Sequence, residues 1–295
     1  MWTGIADLFK QERWFAALMV GPGIAVLVLT TTFPLLYLVW NSFHQINLSM
    51  PGLTGFIGFD NYAQLLSDER FWHSLTLTGI YTVSSVALQL VIGLGLALLV
   101  LQIPAGQWLF RVIAILPIVL APVVVGMFWR TLMLTPEFGI VDYASRSLGL
   151  GSHNWLGDPT LALVSVIVIH TWQWTPFAFL VLLASLAALP PDVFEAARID
   201  RANALQRFWH LTLPLIRPAI VIVVILRSVI ALSAFAAVYA ATGGGPGTAT
   251  EILNLYAYRT AFLELDFGYG SALAVSLLVI TLCVSGALFH LRTAK

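Results

Sequence analysis

Six stretches of more than twenty residues each, nearly free of charge, dominate this chain: 14–40, 73–101, 109–134, 161–189, 218–241 and 269–291. A helix needs roughly 20 mostly apolar residues to cross a bilayer. Segments that are apolar around the whole circumference are not surface helices of a water-soluble protein. The pattern therefore predicts an all-α, polytopic membrane protein with six transmembrane helices, forming one transmembrane domain over residues 1–295. Composition agrees. Charged residues make up 9% of the 295, against about 25% in soluble domains. Prolines 117 and 122 break the third stretch and Pro176 lies inside the fourth. A multi-helix bundle tolerates such breaks, because neighbours or local water satisfy the freed carbonyls.

Several classes of function are excluded at this level. Lys+Arg and Asp+Glu are both 14, so no basic excess exists to hold nucleic acid. A single cysteine, Cys283, permits neither an internal disulfide nor a thiolate metal cage. The six histidines show no metal-ligand spacing, and no metal site is expected. Lys10 and Arg13 precede the first stretch as in a signal peptide, but its apolar run is too long and Gly21-Pro22-Gly23 lies within it. It reads as a retained span.

Orientation follows from the positive residues. With both termini in the cytoplasm, Lys10, Arg13, Arg111, Arg198, Arg201, Arg207, Arg217, Arg292 and Lys295 lie inside, and Arg70, Arg130, Arg146 and Arg259 outside. The nine-to-four bias predicts a multi-pass protein of the cytoplasmic (inner) membrane with both ends inside.

The connection 190–217, between the fourth and fifth spans, is the most informative. Pro190-Pro191 ends the fourth span, Asp192 is placed to cap a new helix, and Glu195 follows at capping-box spacing. Val193, Phe194, Ala196 and Ala197 offer a short apolar surface. Residues 200–203 read as a turn, and Leu205, Phe208 and Leu211 recur at helical spacing. Pro214 and Pro218 are expected to restart the chain toward the membrane. A helix–turn–helix on this face either packs on its own bundle or docks on a partner. Small alanines permit close approach, and the arginines select an acidic or carbonyl-rich surface.

This composite of residues resembles a known family. Glu195-Ala196-Ala197, Asp200-x-Ala202, Phe208 and Leu213-Pro214-Leu215-Ile216-x-Pro218 are similar to the cytoplasmic signature of permease subunits of binding-protein-dependent ABC importers. Thr242-Gly243-Gly244-Gly245-Pro246, Tyr256, Tyr258-Arg259-Thr260-Ala261-Phe262 and Phe267-Gly268-x-Gly270-Ser271-Ala272 resemble its maltose-type sugar-permease branch. The resemblance implies that the segment around Glu195, Ala196, Ala197, Asp200, Arg201, Ala202 and Phe208 is a coupling helix and turn seated in a cytoplasmic ATPase. It further implies two ATPase subunits, a second homologous permease, and an extracytoplasmic binding protein that meets the outer 242–268 loop, with Gly243, Gly244, Gly245 and Pro246 at the contact. The family usually has glycine where this chain has Arg201; an arginine in a left-handed turn costs about 1 kcal/mol, so either Asn203 takes that turn or the loop differs.

A P-loop needs Gly-x-x-x-x-Gly-Lys-Ser/Thr, and the two lysines are Lys10 and Lys295. No Walker lysine can therefore exist here; no cofactor is expected on this chain, and the resemblance implies that ATP and Mg belong to partner ATPase subunits. It is read as a transport subunit, not an enzyme. The solute expected is a sugar or related polyol. Sugars are held by aromatic faces and by amide, hydroxyl and guanidinium hydrogen bonds. Trp172, Gln173, Trp174, Arg227, Ser228 and Tyr239 supply those groups on the fourth and fifth spans. Arg227, mid-span, should face the interior with a partner; it serves either as a structural bridge or as a solute contact, and an arginine would also suit an anionic solute. His170 reads as a satisfied helix histidine. An ion-coupled secondary carrier without ATPase subunits is the alternative, but it has no need of the 190–217 element. A membrane hydrolase using Ser165 and His170 lacks a nucleophile elbow.

Overall fold

The computed structural model describes residues 3–50, 52, 54–103 and 106–293; of residues 3–13, 16 and 291–293 it describes the backbone alone. Lys295 and the side chains of Lys10, Arg13 and Arg292, used above for orientation, lie outside the described residues. The elements are α1 (Thr3–Ser42), β1 (His44–Gln45), β2 (Gly55–Phe56), α2 (Asp60–Ser67), α3 (Glu69–Leu101), α4 (Gln107–Val119), α5 (Pro122–Phe128) and α6 (Ile140–Ser147). There follow α7 (Pro159–Ala187), α8 (Pro191–Ile199), α9 (Ala204–Arg207), α10 (Leu213–Leu232), α11 (Ala236–Thr242), α12 (Leu253–Tyr258) and α13 (Phe267–Thr293). Widened π-turns extend α5 (Trp129–Met133), join α9 to α10 (Phe208–Thr212) and follow α12 (Arg259–Leu263).

Among the described residues, five helices are long and apolar enough to cross a membrane, six if the pair Gln107–Val119 and Pro122–Met133 counts as one broken span. The all-α, multi-span reading therefore stands, with one two-residue antiparallel β-pair among the described residues. Two spans are interrupted: the third, as its prolines predict, though at Pro122 and not at Pro117, and the fifth, which is predicted continuous. The third bends by 97° at Leu120 and Ala121: Pro117 is carried inside α4, whereas Pro122 starts a new helix. The fifth stops at Leu232, runs non-helically through residues 233–235, and restarts as α11.

Two units divide the chain. One holds residues 1–67 and 259–275. In it, Asn61 donates to the carbonyls of Ser42 (2.8 Å) and His44 (3.1 Å). Gly268 lies so close to the hairpin that a Cβ would stand 2.2 Å from the His44 carbonyl oxygen. The other unit holds residues 68–258 and 276–295. Its centre is α3 against α7. A Cβ at Gly93 would meet the Phe179 amide nitrogen at 2.9 Å and Ala178 Cβ at 3.0 Å, so only glycine allows this crossing. Tyr81, Val166, Ile169, Val125 and Val238 fill one core cluster; Ala97, Phe179, Leu182 and Ile216 fill the other. At one edge Arg70 makes a bidentate pair with the fully buried Glu251 (2.7 and 2.9 Å) and lies over the Tyr256 ring.

Candidate functional site

The element 190–217 folds as helix, turn and helix, with corrections to its capping. Pro190, not Asp192, occupies the N-cap of α8, and Asp192 sits in the first turn, where a carboxylate favours the helix dipole. The capping box belongs to α9: Asn203 Oδ1 accepts from the Gln206 amide and the Asn203 amide donates to Gln206 Oε1, both at 2.8 Å. Neither alternative for Arg201 holds, because Arg201 itself takes the left-handed turn at φ 58° while Asn203 stays extended. The Ala202 amide reaches back to the Ala197 carbonyl (2.9 Å) and the Arg201 amide to Arg198 (3.0 Å), a Schellman closure that ordinarily selects glycine.

The prolines also act otherwise than predicted. Ala204–Leu232 runs as one helix, so Pro214 and Pro218 restart nothing. Pro214 lacks the N–H that would bond four residues back, and its ring would crowd that carbonyl. The π-turn Phe208–Thr212 widens the helix just before it and absorbs the mismatch.

No residue of α8 or α9 is buried. Glu195, Ala196, Asp200 and Arg201 are exposed, Ile199 by 82%, and Ala197, Ala202 and Phe208 partly so. A hollow of about 360 Å³ opens between Ala197, Asp200, Ala202, Gln206, Arg207 and His210.

Inside the same unit a second chamber, about 250 Å³, lies where both broken spans are interrupted. Its wall includes Pro122 at one break and Ser233 to Ala237 at the other, with Tyr81 from α3 and His170, Gln173 and Trp174 from α7. The breaks free backbone carbonyls, and amide side chains take them up. Gln173 Nε2 donates to Leu120 O (3.2 Å), and Asn254 Nδ2 to Ser233 O (3.0 Å) and Ala234 O (3.4 Å).

Behind this wall stands Arg227, fully buried. Its Nε donates to Gln89 Oε1 (2.8 Å), its Nη2 to His170 Nε2 (3.0 Å), and its guanidinium lies 4.2 Å from the Trp174 ring centroid. A guanidinium only donates, so His170 Nε2 accepts, and the imidazole is neutral with its proton on Nδ1. Tyr81 packs on the His170 ring at 5.0 Å. Arg227 Nη1, Gln89 Nε2, Gln173 Oε1 and the Tyr81 hydroxyl are buried with no hydrogen-bond partner among the described residues.

Of the predicted solute contacts, the structure gathers Gln173, Trp174 and, one layer behind, Arg227. Trp172 points elsewhere, packing on Phe128 and Trp129 and lining an apolar cavity of about 530 Å³ among α3, α4 and α7. Tyr239 stacks with Phe235 and meets Tyr258 edge-on, and Ser228 is buried on α10 outside the chamber lining. Ser233, on the same span as Arg227, lines the chamber, whereas Tyr81 and Gln89 were missed. Gln89 alone carried a signal, as an amide inside an otherwise apolar span. Residues 243–246 form a hydrogen-bonded turn: Gly243 and Gly244 have φ of 62° and 97°, and Thr250 Oγ1 bonds both Thr242 Oγ1 (2.7 Å) and Gly245 O (2.9 Å).

Interrupted spans around a small polar–aromatic chamber, with an uncovered helix between two spans, define a multi-pass membrane transport component. The chain belongs to the family of binding-protein-dependent transport system inner membrane components, whose profile matches residues 76–293. It is 34% identical over 294 residues to the sulfoquinovosyl glycerol transport system permease protein SmoG of Agrobacterium fabrum, covering 100% of this chain and 94% of the relative. It is 34% identical over 290 residues to the trehalose/maltose transport system permease protein MalF of Thermococcus litoralis, covering 98% and 97%. Its fold is similar to a chain of a bacterial alginate ABC transporter solved with an alginate pentasaccharide-bound periplasmic protein (TM-score 0.82, 21% identity, covering 100% and 98%).

Proposed function

We propose that this chain is the permease subunit of an ATP-driven importer that moves a sugar or related polyol across the cytoplasmic membrane, with both termini inside. It works as one transmembrane domain beside a second permease. Two cytoplasmic ATPase subunits bind the ATP and Mg, and an extracytoplasmic binding protein meets the turn Gly243, Gly244, Gly245 and Pro246. Glu195, Ala196, Ala197, Asp200, Arg201, Ala202 and Phe208 form the surface that receives the ATPase. The chamber walled by Tyr81, Gln173, Trp174 and Ser233 passes the solute. Its aromatic faces suit sugar C–H surfaces, and its amide and hydroxyls suit sugar hydroxyls.

The observation that carries this reading is mechanical. The helix Ala204–Leu232 is about 43 Å long at 1.5 Å per residue. It begins beside the uncovered α8 and ends at Ser233, in the chamber wall. A push on α8 therefore reaches the chamber through one continuous helix, which is how a rigid lever transmits closure. Relatives named as sugar permeases support the solute class.

The test is Glu195→Lys in the assembled transporter. Uptake should be lost while ATP hydrolysis by the co-purifying ATPase persists. A chain that transports without any ATPase subunit refutes the proposal.

A further inference from the structure

The short helix α6 is amphipathic in the wrong direction for a loop in water. Asp142 and Ser145 are buried, at 0% and 6% exposure, with Val141 partly buried beside them. Ile140 and Tyr143 face outward, and Phe138, Leu148 and Leu150 flank them; all five are between 61% and 86% exposed. The reason for the buried polar side is visible. Asp142 is the hub of the loop. It accepts from the Glu137 amide (2.8 Å), Ser152 Oγ (2.8 Å), the His153 amide (3.0 Å) and Trp155 Nε1 (3.1 Å), and pairs with Arg146 (3.4 Å). Ser145 Oγ donates to Gly151 O (2.9 Å). Even Ser147, on the outward side, turns its hydroxyl back to Tyr143 O (2.8 Å). The loop spends most of its polarity on itself and presents apolar side chains to the surroundings, with Glu137 and Arg146 exposed beside them.

The depth of this surface is set by the spans on either side. A Cβ at Gly139 would lie 2.5 Å from Met133 O and 2.7 Å from Thr135 O, so α6 starts in contact with the end of the broken span Pro122–Met133. Downstream, Asp158 caps the next span, α7. Residues 138–150 thus lie level with the span ends, on the membrane side opposite α8. Aromatic and aliphatic side chains at that level match the layer where headgroups meet acyl chains.

We infer that α6 and its flanks form a lipid-binding surface: the face made by Phe138, Ile140, Tyr143, Leu148 and Leu150 lies on the interfacial layer of the leaflet opposite α8. The Asp142 hub holds it flat there and keeps the end of the broken span at fixed depth.

The test uses the full chain, assembled with its co-purifying subunits in lipid nanodiscs, with Cys283→Ser and a spin label at Tyr143→Cys or Leu148→Cys. Bilayer-soluble oxygen should relax both labels more than an aqueous nickel chelate, with depths about 5–10 Å below the headgroups. Nickel dominating overturns the inference and points to water or the binding protein. Shielding from both reagents also overturns it and points to another subunit. A lipid-tethered carbene probe on the unsubstituted chain gives the same answer without labels: adducts on the peptide spanning residues 138–150 are expected, and their absence refutes the assignment.

Discussion

Gly126 offers the sharpest test of how the chamber is walled. It lies on α5, and a Cβ there would stand 2.5 Å from Ala237 O and 2.8 Å from Ala240 Cβ on α11. The first obstacle is backbone, so no rotamer change relieves it. Overpacking of this kind costs about 1–3 kcal/mol. Replacing glycine by alanine within a helix returns about 1 kcal/mol in propensity. Gly126→Ala should therefore destabilise by about 1–2 kcal/mol, from the upper part of that range. Gly95→Ala on α3 is the control, because its Cβ would meet nothing within 4 Å; it should be neutral or stabilising by up to about 1 kcal/mol. The two variants should differ by several degrees in thermal unfolding of the purified transporter. Gly126→Ala should also lose uptake, because Ala237 lines the chamber and must move. Equal behaviour of the two variants would refute the close approach of α5 to α11 and the chamber built on it.

Other expectations follow from single contacts. Arg201→Gly should keep coupling and hold or slightly raise stability, because relieving about 1 kcal/mol of left-handed strain at least matches the roughly 0.5–1 kcal/mol entropic cost of glycine; Arg201→Val should lower it, read as unfolding temperature. Arg227→Met strands Gln89 Oε1 and His170 Nε2, at about 1–3 kcal/mol each, but removes a mid-membrane charge costing about 2.5–3.5 kcal/mol. Assembly should survive while uptake falls, and loss of assembly on a sizing column would make the residue purely structural. For Asp142, hydrogen bonds from the His153 amide first, then from Ser152, Glu137 and Trp155, outweigh burial and hold the carboxyl well below the usual carboxylate range. Its contribution is then present in full above about pH 4 and is lost as pH falls toward the depressed folded value. Asp142→Asn should unfold earlier at pH 7 and show a flatter acid limb in thermal melts between pH 3 and 7.

Much of the architecture was legible from local pattern. Long uncharged stretches located the spans, because hydrocarbon tolerates no other backbone than one that satisfies itself. The motif around Glu195 and the turn at residues 200–203 were readable for the same reason: both are set by neighbours a few residues apart. Capping was read one helix too early, since Asp192 and Glu195 have the spacing of a box whose geometry Pro190 and Pro191 pre-empt.

The sequence by itself determined which stretches are apolar enough to enter a membrane, that no phosphate-binding lysine lies between Lys10 and Lys295, and that a polar helix pair separates the fourth and fifth spans. Tertiary structure alone decided that the fifth span breaks at residues 233–235, where no proline or glycine marks it. The carbonyls freed there are taken by Asn254, twenty residues on, and those of the other break by Gln173, fifty-three residues from Leu120. Hydropathy and helical periodicity sum over near neighbours. A break stabilised by a distant amide, like a buried arginine held by Gln89 and His170, depends on which helices meet, and that is a property of packing.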